Sequence, residues 1–147
     1  MLEIRGNIWD YWDSGANILV TTNGTVTSNK CAVMGRGIAL QASRKFPHLK
    51  SRLGQQLLHY GNHVFRFYDL KIVTFPVKYN WYEKADLDLI DRSARELKTL
   101  FPEGSSGLDP IYLVRPGCMN GKLDWEDVKP VLEKYLNNNF IIVERNL

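Results

Sequence analysis

Cysteine is scarce in this chain. Cys31 and Cys118 are the whole complement among 147 residues. They show no C-x-x-C spacing, which argues against a disulfide framework and against a zinc site. Histidine is as sparse, and His48, His59 and His63 fall at helix or helix-end positions without ligand spacing. No metal and no cofactor is therefore expected. Long apolar runs are also missing, so no membrane span is expected. The opening residues, Met1-Leu2-Glu3-Ile4-Arg5, lack the charged-then-apolar layout of a signal peptide, and a reducing cytoplasm is the expected setting. No charge sign dominates. A net charge of +3 permits an anionic partner without demanding one, and the absence of a basic run argues against a dedicated nucleic-acid-binding domain. Repeats, low-complexity segments and linkers are absent. Residues 1–147 read as a single domain, long enough to bury a core.

What is present alternates between strand and helix patterns. Leu2-Glu3-Ile4-Arg5 alternates apolar and polar residues and reads as a first strand. Trp9-Asp10-Tyr11-Trp12-Asp13 reads as one helical turn. Asn17-Ile18-Leu19-Val20-Thr21-Thr22 is a β-branched run bounded by turn residues, the pattern of a buried central strand. Ile38, Ala39, Ala42 and Phe46 share one face of a helix that stops at Pro47. Leu49, Leu53 and Leu57 mark a second helix that ends at Gly61. Residues 64–68 and 71–75 read as a hairpin around Asp69-Leu70, and Pro76 is expected to end its second strand. Asp86 is placed to cap a helix carrying Leu87, Ile90, Ala94 and Leu97. Residues 102–110 read as a Gly- and Ser-rich surface loop. Ile111-Tyr112-Leu113-Val114 and Phe140-Ile141-Ile142-Val143 are two further strands. Asp124 opens the last helix, in which Pro130 predicts a bend or a short first turn. This order implies an α/β fold with a mixed sheet and helices on both faces, and ligands in such sheets bind at the strand carboxyl ends.

Three stretches leave those strand ends. The first is Asn23-Gly24, leading on to Val33-Met34-Gly35-Arg36-Gly37-Ile38-Ala39-Leu40. Here two glycines admit close backbone approach, and a following helix aims N–H groups at an anion. The second is Pro76-Val77-Lys78. The third is Gly117-Cys118-Met119-Asn120-Gly121. Two glycine-bearing loops facing each other would cradle a diphosphate. Neither is a Walker A loop, and Gly35-Arg36-Gly37 lacks the third glycine of a dinucleotide fingerprint.

The combination of Gly6-Asn7-Ile8, the Val33–Leu40 motif, and Gly117-Cys118 through Leu123-Asp124-Trp125-Glu126-Asp127-Val128 resembles a macro domain. The resembling branch holds the terminal ADP-ribose protein glycohydrolase and the antitoxin of the DNA-ADP-ribosylating toxin pair. The resemblance implies a three-layer α/β/α sandwich that binds ADP-ribose. It places Asn7 and Ile8 by the adenine. Met34, Gly35, Arg36, Gly37 and Ile38 fall at the diphosphate and distal ribose. Gly117, Cys118, Met119, Asn120 and Gly121 become a second phosphate loop. Asn23 lies near a ribose-contacting position, in a register that an insertion over residues 27–32 shifts. The partner implied is ADP-ribose, or an ADP-ribosylated protein or nucleic acid.

Lys78 is the catalytic candidate. Only a neutral amine is a nucleophile, and a partly desolvated lysine titrates low enough to supply one. In the resembling branch, a lysine after this strand acts on the anomeric carbon of the distal ribose. The competing reading is a solvated side chain or a phosphate counter-charge. The glycohydrolases pair their lysine with an aspartate where this chain has Gly121, whereas antitoxin-like members carry glycine there. Asp124 reads as a helix cap. Cys118 at a helix start is a second nucleophile candidate, with no histidine near it in sequence. Trp9, Tyr11 and Trp12 read as packing residues. Tyr79, Trp81 and Tyr82 read as a packed lip of the cleft, or as a stacking rim if the substrate carries a nucleobase. Three functions stay open: ADP-ribosyl hydrolase, ADP-ribose 1″-phosphate phosphatase, and non-catalytic ADP-ribose reader.

Overall fold

The computed structural model describes residues 1–102 and 109–145. In chain order the elements are β1 (Leu2–Gly6), α1 (Ile8–Asp13), β2 (Asn17–Asn23), α2 (Gly37–Lys45), α3 (Leu49–Tyr60), β3 (Phe65–Phe67) and β4 (Ile72–Lys78). They continue with α4 (Leu87–Leu100), β5 (Ile111–Leu113), α5 (Trp125–Glu133) and β6 (Phe140–Arg145). The strands form one sheet in the order β1-β6-β5-β2-β4-β3. Every pairing is parallel except that of β3 with β4.

The strand alternation explains the layers. Successive side chains of a strand point to opposite faces. In β2, Ile18 and Val20 enter one hydrophobic cluster and Leu19 enters the other. The Ile18 and Val20 side is covered by Ile38 and Ala42 of α2 and by Leu49, Leu53 and Leu57 of α3. The Leu19 side is covered by Ile90, Ala94 and Leu97 of α4 and by Val128 and Leu132 of α5. Both faces of the sheet are buried, so β2 and β4 read as near-continuous apolar runs. The result is the expected three-layer α/β/α sandwich.

Pro76 does not end its strand. β4 runs through Pro76 and Val77 to Lys78. A proline cannot donate to a ladder, so it sits in sheets where no partner needs that donor. β3 pairs only with Ile72, Val73 and Thr74, so at Pro76 the outer side of β4 faces no strand. Pro130 lies inside α5, which continues past it. Most of the loop expected over residues 102–110 lies outside the described residues. Both cysteines are free. Among the described residues, no helix is long and apolar enough to cross a membrane.

The insertion over residues 27–32 folds on itself, with Thr27 N–H donating to Cys31 O at 2.8 Å. It rests on α3, where a Cβ at Gly54 would lie 2.0 Å from Lys30 O. That contact gives Gly54 a reason that its helical sequence context hides.

Asp86 caps α4 as expected, its side chain accepting from Leu89 N–H at 2.9 Å. Its own N–H donates to Val77 O at 2.9 Å, so the helix start is also tied to the end of β4. Replacing Asp86 with Ala removes the cap and should cost about 1 kcal/mol, read as a lower urea midpoint at unchanged slope.

Candidate functional site

The carboxyl ends of β2, β4 and β5 open into a single cleft of about 1900 Å³. Its centre is fixed by a slip in strand register. Thr22 pairs with Pro76, but Asn23 pairs with Lys78, leaving Val77 as the extra residue of a bulge. Bulges re-aim side chains beside sites. This one buries Val77 in the core and sets Asn23 opposite Lys78 where both line the cleft.

Lys78 is half-buried. Its Nζ donates to Trp81 O and to Asn120 O, each at 3.4 Å. The amine thus bridges its own turn and the loop over residues 117–121. Burial pulls its pKa below the ordinary lysine value, and the positive charges of Arg36 and Lys122 pull it further. Each of these causes disfavours the ammonium form.

One wall of the cleft is the glycine turn. Among the described residues, no protein group accepts from the backbone N–H of Gly35, Arg36, Gly37 or Ile38. Gly37 starts α2 at φ +55°, in a region that suits glycine. A Cβ at Gly35 would meet nothing within 4 Å, and its φ is not positive. Neither packing nor backbone conformation in this structure requires glycine there. Gly35, Arg36, Gly37 and Ile38 all line the cleft. Met34 does not. Its side chain is buried in the hydrophobic cluster with Ile38 and Leu53, so it holds the turn from beneath and is no ligand contact through that side chain.

The facing wall is the second loop. Gly117, Cys118, Met119, Asn120 and Gly121 all line the cleft. The N–H groups of Met119, Asn120 and Gly121 find no acceptor among the described residues. The loop is closed tightly on itself, and a Cβ at Gly121 would lie 2.4 Å from Gly117 O. It is tied to the α4 start by Ala85 N–H donating to Gly121 O at 3.0 Å. Burial pushes the Cys118 thiol up to about 11, and its Sγ lies 3.5 Å from Pro116 O. A thiol so protonated is a poor nucleophile near neutral pH.

At the far end, Asn7 and Ile8 line the cleft. The Asn7 side chain caps α1, accepting from Trp9 N–H at 3.0 Å, and Ile8 is buried beneath. Asn23 is already engaged. Its Nδ2 donates to Val33 O at 3.0 Å and its Oδ1 accepts from Thr25 N–H at 2.9 Å. It braces the entrance to the glycine turn and retains one free amide hydrogen. Asp124 occupies the cap position of α5, but its side chain makes no cap hydrogen bond. It is exposed and lines the cleft.

Sequence reasoning missed the supports of Lys78. Asn62 Nδ2 donates to Lys78 O at 3.0 Å. Thr25 Oγ1 accepts from Trp81 N–H at 3.0 Å, pinning the turn after Lys78. These contacts span 16 and 56 residues, and no local pattern signals either. The aromatic turn is not a packed lip, because Tyr79, Trp81 and Tyr82 are all exposed. Among the described residues, no group of three or more His, Cys, Asp or Glu could hold a metal ion.

No protein-family model matches the chain. Its sequence is similar to the DNA ADP-ribosyl glycohydrolase of Mycobacterium tuberculosis, 28% identical over 80% of this chain and 36% of that protein. The chain therefore spans about a third of the length of this curated relative. Among solved structures it is similar to the macrodomain of Thermus aquaticus DarG. That match has a TM-score of 0.72 and 21% identity, over 99% of this chain and 97% of that one. It is also similar to Thermosipho africanus DarTG in complex with ADP-ribose, with a TM-score of 0.69 and 19% identity over 89% of this chain and 38% of that one. The fold is that of a macrodomain.

The two walls predict opposite responses to a methyl group. Gly35→Ala should leave the thermal midpoint within about 1 °C of the parent, while Gly121→Ala should lower it by several degrees, at about 1–3 kcal/mol of overpacking. Equal midpoints in a melting experiment would contradict the loop geometry.

Proposed function

We propose that the cleft binds ADP-ribose and that the chain removes ADP-ribosyl groups from a modified macromolecule, using Lys78. The observation that carries this reading is the Lys78 amine set between two loops of unpaired N–H groups, with its charge disfavoured by burial and by neighbouring cations. The loops suit a diphosphate, which takes N–H donors from both sides. On this reading Gly35 is glycine because backbone must touch ligand. The curated relative named for acting on DNA makes DNA the first acceptor to test. The free cysteines fit a reducing, cytoplasmic setting.

The chemistry follows from the amine. Neutral Lys78 Nζ attacks C1″ of the distal ribose, and the electron pair of the C1″–acceptor bond leaves with the acceptor, which takes up a proton. Water then attacks C1″ of the lysine adduct, releasing ADP-ribose and returning the amine. The net reaction consumes one water. The two carbonyls that touch Nζ hold the amine, and Asn62 holds the Lys78 backbone carbonyl, so little ordering remains for the reaction itself.

One observation favours a second reading, that of an ADP-ribose reader. The loop position where the glycohydrolases carry an aspartate is Gly121, and a side chain there would have to displace the Gly117 backbone. On the hydrolase reading, Lys78 acts without that carboxylate.

Lys78→Ala separates the two. Turnover of an ADP-ribosylated oligonucleotide should fall below detection, while ADP-ribose affinity by calorimetry changes less than about fivefold. Turnover that survives would remove the lysine from the mechanism, and a parent protein with binding but no turnover would select the reader. Because the attacking form is the neutral amine, the rate should climb with pH and level off. Its midpoint should lie below the ordinary lysine value, as the lowered pKa of Lys78 requires.

A further inference from the structure

We propose that Ser93 of α4 is a positioning residue for Lys78: its hydroxyl holds the Pro76 carbonyl and so fixes the end of β4, from which the amine is aimed. This rests on the reading of Lys78 as the attacking group and adds what sets its place.

Beyond Thr74 the outer side of β4 has no neighbouring strand. β3 pairs with Ile72, Val73 and Thr74 and no further, and the slip at Val77 interrupts the register with β2. Donors from outside the sheet reach the last three carbonyls of the strand instead. Ser93 Oγ donates to Pro76 O at 2.7 Å, Asp86 N–H donates to Val77 O at 2.9 Å, and Asn62 Nδ2 donates to Lys78 O at 3.0 Å. The first two come from α4 and its cap. The third depends on α4 as well, because Arg92 donates to Asn62 O and Glu96 accepts from Val64 N–H at 3.0 Å and pairs with His63 at 2.7 Å. One helix therefore grips the strand end directly and also grips the segment that bears Asn62.

Ser93 is the member of this clasp that burial and helix formation do not explain. It is fully buried on the face that carries Leu89, Ile90, Ala94 and Leu97. Alanine there would favour the helix more and bury no hydroxyl. A helix hydroxyl commonly turns back to a carbonyl three or four residues earlier. Ser43, Ser51 and Thr99 do so, donating to Leu40 O, His48 O and Arg95 O. Ser93 instead sends its hydroxyl out of the helix to β4. Asn62 is committed in the same way. Among the described residues its Oδ1 is buried without a partner, a loss tolerated while its amide nitrogen serves Lys78 O.

The main chain matters here because the amine's own contacts are long. Nζ lies 3.4 Å from each of its two carbonyls, near the limit of a hydrogen bond. The place of the amine in the cleft is therefore set largely by the strand end from which the side chain starts. Without the Ser93 hydroxyl, Pro76 O loses this donor in a buried setting, and the strand end relaxes toward water. Lys78 then gains solvent, and the burial that lowers its pKa weakens. Arg36 and Lys122, the charged groups that act on it, remain.

The test uses the whole chain with isotope-labelled lysine ε-carbons, followed by NMR as pH is raised. The Lys78 signal is assigned by its loss in Lys78→Ala. Ser93→Ala should move the Lys78 midpoint up by about half a pH unit, toward the ordinary lysine value. On an ADP-ribosylated oligonucleotide, kcat at neutral pH should fall about tenfold, and the rise of its pH profile should be displaced in the same direction. Affinity for free ADP-ribose should stay within about twofold, since Ser93 lies outside the cleft lining. Leu132→Val, a core change in α5, should lower stability and leave the Lys78 midpoint where it is. A midpoint in Ser93→Ala equal to the parent's would overturn the proposal. So would an equal shift in Leu132→Val, because the effect would then be a general loosening. A parent with no turnover is a separate outcome that sinks the hydrolase reading, while the NMR titration still judges Ser93.

Discussion

The register slip between β2 and β4 is the constraint on which the cleft depends. Strand pairing leaves little freedom, because each residue added or removed turns the next side chain to the opposite face. With Val77 taken up as the extra residue, Asn23 and Lys78 come to stand opposite each other at the strand ends. Asn23 then anchors the start of the glycine turn through Val33 O and Thr25 N–H. Lys78 reaches the second loop through Asn120 O. Both walls are therefore positioned from one ladder, and the sheet's rigidity passes directly to the site.

The electrostatics follow from that placement. Among the described residues, the backbone N–H groups of two cleft loops find no acceptors, and Arg36 and Lys122 add positive charge near Lys78. Such a site favours anions and disfavours another cation. A lysine placed here yields its proton more readily, by the same field that would attract a diphosphate. Ligand attraction and amine activation are thus two effects of one charge distribution. Cys118 experiences the other side of the balance, since burial outweighs the nearby Arg115 and holds the thiol protonated.

Much of the fold was legible because its signals are local. Strand alternation in residues 17–22, the Leu49, Leu53 and Leu57 spacing, and the Asp86 cap are each readable within a few residues. Pro76 misled because the rule against proline in strands depends on the neighbouring strand, and β3 is too short to reach it. Met34 misled because a motif gives no inside and outside, and here its side chain points into the core. Asp124 was read rightly in position, but not in its side-chain bonding. Asn62 and Thr25 left no trace in the sequence, since their contacts join segments that only the folded sheet brings together.

The loop over residues 117–121 has a consequence for how such sites diversify. Its first and last glycines lie backbone against backbone, so a Cβ on Gly121 would meet the Gly117 backbone and not the end of a flexible side chain. A carboxylate at its end would require the backbone of the ring to shift. An acidic group at the end of this loop would then come with a different backbone path as well as a different side chain. Chemistry that grows up around the narrow version must draw its proton transfers from water, from the amine itself, or from groups outside the ring.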